Sequence, residues 1–246
     1  MDTTIAKGLK LLNRIAHADA PVGVTAMAKE MGLEKSNIHR TMMTLLDLGY
    51  VERDQQSGRY GPTLKVWELG MKVVARHPIV RTARPFMQML HQQTQETIHL
   101  TILDGLDCMY LDQIRAPVPV RTMPPPGHRA PAMFPASGRV QLAFQPDPDA
   151  LIQRFRADHP RGKEIKAAAT LRDFAVIRQQ GFTYTESGWS VGINSIAAAI
   201  VGRDDIAIAA IAVSGPAERL TAERMLGLAD KVLNACTQVS GSLRGQ

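Results

Sequence analysis

Residues 24–53 read VTAMAKEMGLEKSNIHRTMMTLLDLGYVER, and this stretch decides the fold of the N-terminal part. Two short amphipathic helical patterns meet at Gly32-Leu33, where glycine tolerates the positive φ of a tight turn. Thr25 is the expected N-cap of the first helix, with Met27, Ala28 and Met31 facing inward. Ser36 is the expected N-cap of the second, whose buried stripe is Ile38, Met42, Leu45 and Leu46 and whose stop is Gly49. A further helix over 4–17 precedes the pair, with Ile5, Leu9, Leu12 and Ile15 or Ala16 on one face. Behind it, two β-prone runs at 50–53 and 59–60 enclose the polar tip Asp54–Gly58 and predict a hairpin that Pro62 ends. Helix, turn, helix and hairpin in this order spell a winged helix-turn-helix, which reads duplex DNA.

The second helix carries the chemistry for that task. Lys35, Ser36 and His39 stand at its start, and Asn37, Arg40, Thr41 and Thr44 are placed opposite the buried stripe. Arginine pairs bidentately with guanine and asparagine with adenine, while hydroxyls and N–H groups at a helix start hold phosphate. Arg53 and Arg59 flank the hairpin tip, within reach of a neighbouring minor groove or backbone. The charge agrees: the chain is formally +6, and residues 1–76 hold eleven Lys and Arg against eight Asp and Glu. Residues 77–246 carry the same excess of three on more than twice the length.

A helical pattern over 63–75 exposes a broad apolar surface through Leu64, Trp67, Leu69, Met71 and Val74, and predicts a linker that packs on a second subunit. The boundaries follow: 1–62 for the winged domain, 63–77 for the linker helix, 78–246 for a second domain. The second domain predicts a helix at 79–94, strands at 96–103 and 108–113, helices at 136–144, 147–156 and 170–180, strands at 182–186, 194–202 and 206–213, and a last helix at 221–242. This is an α+β arrangement of sheet and helices. Between them, residues 116–135 hold seven of the fifteen prolines and predict a long functional loop.

Composition excludes several classes. No apolar run reaches the ~18 residues of a membrane span, and the N-terminus lacks an apolar signal segment, so a cytoplasmic protein without membrane contact is expected. Cys108 and Cys236 are too few and too far apart for a zinc site, and neither metal nor cofactor is expected.

LKLLNRI at 9–15, MAKEMGLEKSNIHRTMMTL at 27–45, GYVERD at 49–54 and SGRYGP at 57–62 resemble the IclR family of bacterial transcription regulators. The resemblance continues through RPFMQML at 84–90, ETIHL at 96–100, ASGR at 136–139, GINSIAAAI at 192–200 and VSGPAERL at 213–220. It implies a winged helix-turn-helix, a linker helix and a GAF-like effector-binding domain with an antiparallel sheet flanked by helices. It also implies homodimers or homotetramers on a palindromic operator of double-stranded DNA, and a small-molecule effector, mostly an organic acid. The implied pocket lies where Ser137, Gly138, Thr185, Ser195 and Ser214 converge, with Ser137 and Gly138 at a helix N-terminus that favours an anion. Ser195 stands where many members have Cys, Ala212 replaces a common hydroxyl, Arg139 replaces a usual Lys and Thr185 an acidic residue. These departures turn the expected ligand from keto acids towards an aromatic or other small carboxylate. Arg115, Arg121, His128 and Arg129 in the loop 115–131 are candidates to pair it, and His99 is either a pocket residue or a packed core histidine.

Two rival readings exist. A DNA-binding protein without a ligand would not need the second domain. A serine hydrolase is suggested by Gly188-Trp-Ser190-Val-Gly192, but that motif needs a helix after it and a later histidine, and none occurs beyond His159.

Overall fold

The computed structural model describes residues 3–117 and 124–245. It divides into two compact units, Met1–Ala75 and Arg76–Gln246.

The N-terminal unit contains α1 (Thr3–Ala16), α2 (Val24–Met31), α3 (Lys35–Asp47), β1 (Val51–Arg53), β2 (Tyr60–Pro62) and nearly all of α4 (Leu64–Arg76). Leu11, Ile15, Met27, Ala28, Ile38, Met42, Leu45, Val51 and Tyr60 form its core. The helix-turn-helix is as expected, with Gly32 at φ +63° and Gly49 at φ +72°. Three local expectations are corrected. The α1 face that enters the core is Leu11 and Ile15, whereas Ile5 and Leu9 are exposed. α1 carries two apolar stripes roughly a quarter-turn apart, and Gly8, where a Cβ would meet Thr41 Cγ2 at 3.9 Å, brings the Leu11 stripe against α3. Gly23 and Glu34, not Thr25 and Ser36, are the N-caps; the Glu34 carbonyl receives the N–H groups of Asn37 and Ile38 at 3.0 and 3.1 Å. In the hairpin, β2 starts at Tyr60 and Pro62 is its last residue, opposite Val51. Val22 bridges to Tyr60 through two 2.8 Å backbone bonds and extends the wing.

The C-terminal unit contains α5 (Pro78–Thr94), β3 (Thr97–Asp104), β4 (Asp107–Ile114), β5 (Arg129–Pro131), α6 (Ala136–Ala143), α7 (Pro148–Asp158), a 3-10 turn (Gly162–Glu164), α8 (Ala167–Gln180), β6 (Phe182–Glu186), β7 (Ile193–Val201), β8 (Ala207–Pro216), α9 (Ala222–Gly227) and α10 (Ala229–Arg244). Its sheet is antiparallel in the order β5-β4-β3-β8-β7-β6. Ile98, Leu100, Ile196, Ile211 and Val213 point to one side, where Met87 and Leu90 of α5 and Val232 and Val239 of α10 cover them. Ala197, Ala210 and Ala212 point to the other, where their small size admits Val140 of α6 and Phe174 of α8. The sheet is thus covered on both faces. Two features differ from expectation: the proline-rich region contains β5, and the last helix is interrupted at Leu228, just after Gly227. Among the described residues, no helix is long and apolar enough to cross a membrane. Both cysteines are free and buried.

Candidate functional site

Two surfaces gather the residues singled out from the sequence. The first is the outer side of α3. Lys35, Ser36, His39, Arg40 and Thr44 are exposed there, and Asn37 is half-buried. The Arg40 guanidinium donates to Asn37 Oδ1 at 3.1 Å, which links these two side chains one turn apart. Thr41 does not share this face. It lies three residues from Ile38 and four from Leu45, which turns it towards α1, and its hydroxyl donates to the Asn37 carbonyl at 2.9 Å. In the wing, Arg53 and Arg59 are exposed on either side of the tip. Arg53 Nε donates to the Gly58 carbonyl at 3.3 Å, while Asp54 Oδ1 receives the Ser57 N–H and hydroxyl at 2.6 Å and fixes the turn. At the other end of α3, Lys65 Nζ donates to the Leu48 carbonyl and Thr63 Oγ1 to the Gly49 carbonyl, both at 2.6 Å. These bonds fasten the start of α4 to the end of α3.

The second is a pocket on the α6 side of the sheet. Strand register places Thr97, Ser214, Ser195 and Thr185 side by side across β3, β8, β7 and β6. The pocket is lined by His99, Ser137, Thr185, Ser195 and Ser214, all anticipated, together with Tyr110, Pro124, Pro135, Trp189, Ser190, Ile193 and Ala212. The cavity between its walls is about 50 Å³. Thr185 and Ser195 hydroxyls are 3.1 Å apart. Ser137 is in the first turn of α6, where backbone N–H groups have no acceptor within the helix. Beneath it, Gln141 Nε2 donates to the Ser137 carbonyl at 2.9 Å and to Thr101 Oγ1 at 3.0 Å.

Two expected pocket residues are elsewhere. Gly138 does not line the pocket but lets α6 close on the chain before it: a Cβ there would sit 2.3 Å from the Ala132 carbonyl oxygen. Arg129 does not line it either, because the acidic residues of the β3–β4 turn hold it; its guanidinium pairs with Asp104 and, at 3.5 Å, with Asp107. Arg115 and His128 are likewise not lining residues, and Arg121 lies outside the described residues. Among the described residues no Lys or Arg lines the pocket. Tyr110 was missed, although it alternates with the inward-facing Cys108 on β4 and was legible on that ground.

His99 is the pocket's one buried titratable group with two hydrogen-bonding atoms to place. Its Nε2 lies 2.8 Å from Ser214 Oγ, Tyr110 stands edge-on to its ring at 5.2 Å, and among the described residues its Nδ1 has no partner. Burial lowers its pKa from 6.5 to about 4, so the folded protein holds it neutral. Between these values the unfolded chain binds the proton and the folded one does not, so stability falls as pH falls. His99 should therefore lower the stability of the C-terminal unit by about 2 kcal/mol between pH 7.5 and pH 5. Urea unfolding of a Trp67→Phe protein, followed by Trp189 fluorescence, measures this. The slope should shrink when His99→Phe is added.

The pocket lip is the hairpin between β6 and β7, residues 187–192. Trp189 stacks on Phe134 with centroids 6.1 Å apart, and the Arg161 guanidinium covers the Phe134 ring at 3.8 Å. Arg161 is itself held by Glu164 through two 2.7 Å bonds. The Gly-x-Ser-x-Gly string occupies this hairpin, between two strands and without the following helix that a hydrolase nucleophile requires.

Models of known families decide the relationship. The IclR helix-turn-helix domain matches residues 4–55, and the C-terminal domain of the bacterial transcriptional regulator IclR matches residues 71–241. The chain belongs to the IclR family. IclR-family members are transcription regulators that bind DNA, not enzymes. The chain is 28% identical over 226 residues to the regulator KdgR of Escherichia coli, covering 90% of this chain and 86% of that protein. It is 25% identical over 246 residues to the transcriptional repressor IclR of Escherichia coli, covering 96% and 88%. The fold matches Thermotoga maritima IclR with a TM-score of 0.75, at 24% identity and 99% coverage of both chains. It also matches an IclR homologue from Microbacterium hydrocarbonoxydans in complex with 4-hydroxybenzoate, with a TM-score of 0.80, 19% identity and coverage of 99% and 100%.

Proposed function

We propose that this IclR-family regulator holds its operator under the control of a small organic acid, an aromatic or other small carboxylate, bound in the pocket of the C-terminal unit. The observation that carries this reading is the convergence of four strands and the start of α6 on one pocket lined by His99, Ser137, Thr185, Ser195 and Ser214. A helix start with a neighbouring hydroxyl favours a carboxylate, and Trp189, Tyr110 and Ile193 favour an aromatic body. The relative bound to 4-hydroxybenzoate supports the same ligand class. Ligand control requires that the acid bind one arrangement of the protein better than another.

The DNA-facing residues in this reading are Lys35, Ser36, Asn37, His39, Arg40 and Thr44 on α3 and Arg53 and Arg59 on the wing. The chain works as a homodimer or a pair of dimers on a palindromic operator, two copies of α3 entering successive major grooves. α4 supports the dimer: none of its residues is buried, and Leu64, Trp67, Leu69, Met71 and Val73 are exposed together.

Arg40→Ala should weaken binding to a selected site by about 1–3 kcal/mol and relax the choice of base at one position. Fluorescence anisotropy on duplexes selected from a random pool measures it, and an equal loss on every duplex would make Arg40 a phosphate contact. A thermal-shift panel of carboxylic acids tests the ligand. A site at a hundredfold excess over Kd adds about 2.7 kcal/mol. If no acid raises the melting temperature, the regulator acts without a ligand of this class.

A further inference from the structure

We propose that the hairpin 187–192 is a lid over this pocket, latched shut by the stack of Trp189, Phe134 and Arg161, and that an acid enters only when the latch opens. The proposal rests on the sensor reading above and adds how its ligand gains access. With the lid closed, the cavity is about 50 Å³. That is room for one or two waters at ~30 Å³ each, whereas pockets that bury a small organic ligand run to ~300–1,000 Å³. One wall must therefore move to admit an acid. His99, Ser137, Ala212 and Ser214 line the pocket from positions at most 6% exposed. Trp189 and Ser190 line it from the hairpin, where no residue is buried and Val191 is 95% exposed. Segments with so little buried surface are the first to open.

The feet of the hairpin are fixed by hydrogen bonds and its tip by ring contacts. Ser187 and Gly192 both take positive φ, +52° and +76°. Buried Asn194 accepts the Ser187 N–H at 3.1 Å and donates to the Leu220 carbonyl at 2.9 Å, and the Gly192 carbonyl accepts the Ala217 N–H at 2.8 Å. Between these feet, Trp189 stacks on Phe134 at 26°. The Arg161 guanidinium lies 3.8 Å from the Phe134 centroid and 5.9 Å from the Trp189 centroid. Such contacts are weak at exposed sites, which suits a latch. Gly188 sets how tightly the lid shuts. A Cβ there would lie 2.6 Å from the Phe134 carbonyl oxygen and 2.7 Å from Thr185 Cβ. Phe134 follows the buried Ala132 and Met133, so the hairpin is the side that would give way.

A closed lid lowers apparent affinity by the fraction of time it is open, so weakening the latch tightens binding, by the same factor for every acid. A guanidinium acting instead as an anion contact would do the opposite when removed. Isothermal titration of the full chain tests this on the wild type, Arg161→Ala and Gly188→Ala. The probes are benzoate, phenylacetate, propionate and any acid of the panel that raises the melting temperature. Both variants should bind each acid threefold or more tightly than the wild type does. In a Trp67→Phe background without ligand, acrylamide should quench Trp189 at least twice as steeply in both variants. The two substitutions lie on different segments, so either decides the matter if the other fails to fold. Affinity unchanged or weakened in the variants, or unchanged quenching, would overturn the lid, while the sensor reading stands on the binding of the acids themselves. If the wild type binds none of these acids and Gly188→Ala does, the lid is supported. If neither protein binds any of them, both proposals fall.

Discussion

Leu64→Glu with Trp67→Glu should convert the protein to a monomer and weaken its binding to a palindromic site by about 10²–10⁴-fold, the avidity that joining two half-site readers provides. The two side chains lie one turn apart on α4 and are exposed at 80% and 63%. A helix of thirteen residues with none buried does not earn its stability within its own unit. Exposed apolar side chains grouped on one helix favour association, and burying charged glutamates there would oppose it. The change leaves the core of Leu11, Ile38 and Met42 untouched, so the unit should keep its circular dichroism spectrum. Size-exclusion chromatography with light scattering gives the mass, and anisotropy on a full palindrome and on a half-site separates lost avidity from lost contact. Lys65 and Thr63 tie the start of α4 to the end of α3.

Glu96→Ala should destabilise the C-terminal unit by about 3–5 kcal/mol. Glu96 is 1% exposed, at the junction of α5 and β3. Its carboxylate receives two bonds from Arg219, at 2.7 and 2.6 Å, and one from Arg224 at 3.0 Å. Arg224 continues to the carbonyls of Arg219 and Thr94 at 2.6 and 2.9 Å. Removing the carboxylate leaves two guanidinium groups over a cavity, and their partial exposure to water places the loss nearer the lower end of that range. Glu96→Gln, which keeps the volume and one acceptor, should lose less. Urea unfolding read through Trp189 measures both variants. The node also bears on the pocket, since the following Leu220 carbonyl accepts from Asn194 Nδ2, and Asn194 Oδ1 accepts the N–H of Ser187 in the lip. A variant that unfolds only at the wild-type urea concentration would contradict the role given to this cluster.

The sequence made the recognition helix legible because period and composition agree there: Ile38, Met42 and Leu45 recur at helical spacing, and the side chains between them are polar. It misled where a weaker signal competed with a stronger structural fact. Glu34 caps α3 by backbone geometry alone, without a side-chain bond, so a rule built on capping side chains moved the start to Ser36. In α1 both apolar stripes looked equally suited to the core, and only packing against Thr41 through Gly8 separates them. The hydroxyls of the pocket were legible from the resemblance, but their alignment depends on strand register, which no local pattern specifies. Arg129 was misplaced because its partners Asp104 and Asp107 lie more than twenty residues away in sequence. β5 escaped notice because a strand of three residues containing Pro131 has no period to read.

Occupancy of the pocket should change the grip of the winged units on DNA. The direct measurement is anisotropy of the full chain on a duplex it selects, with and without each acid that raises its melting temperature. At least one such acid should change Kd for that duplex tenfold or more, and Ser137→Leu, which fills the pocket wall, should abolish the change while leaving ligand-free DNA binding intact. Identical DNA affinity in the presence of every stabilising acid would contradict the account.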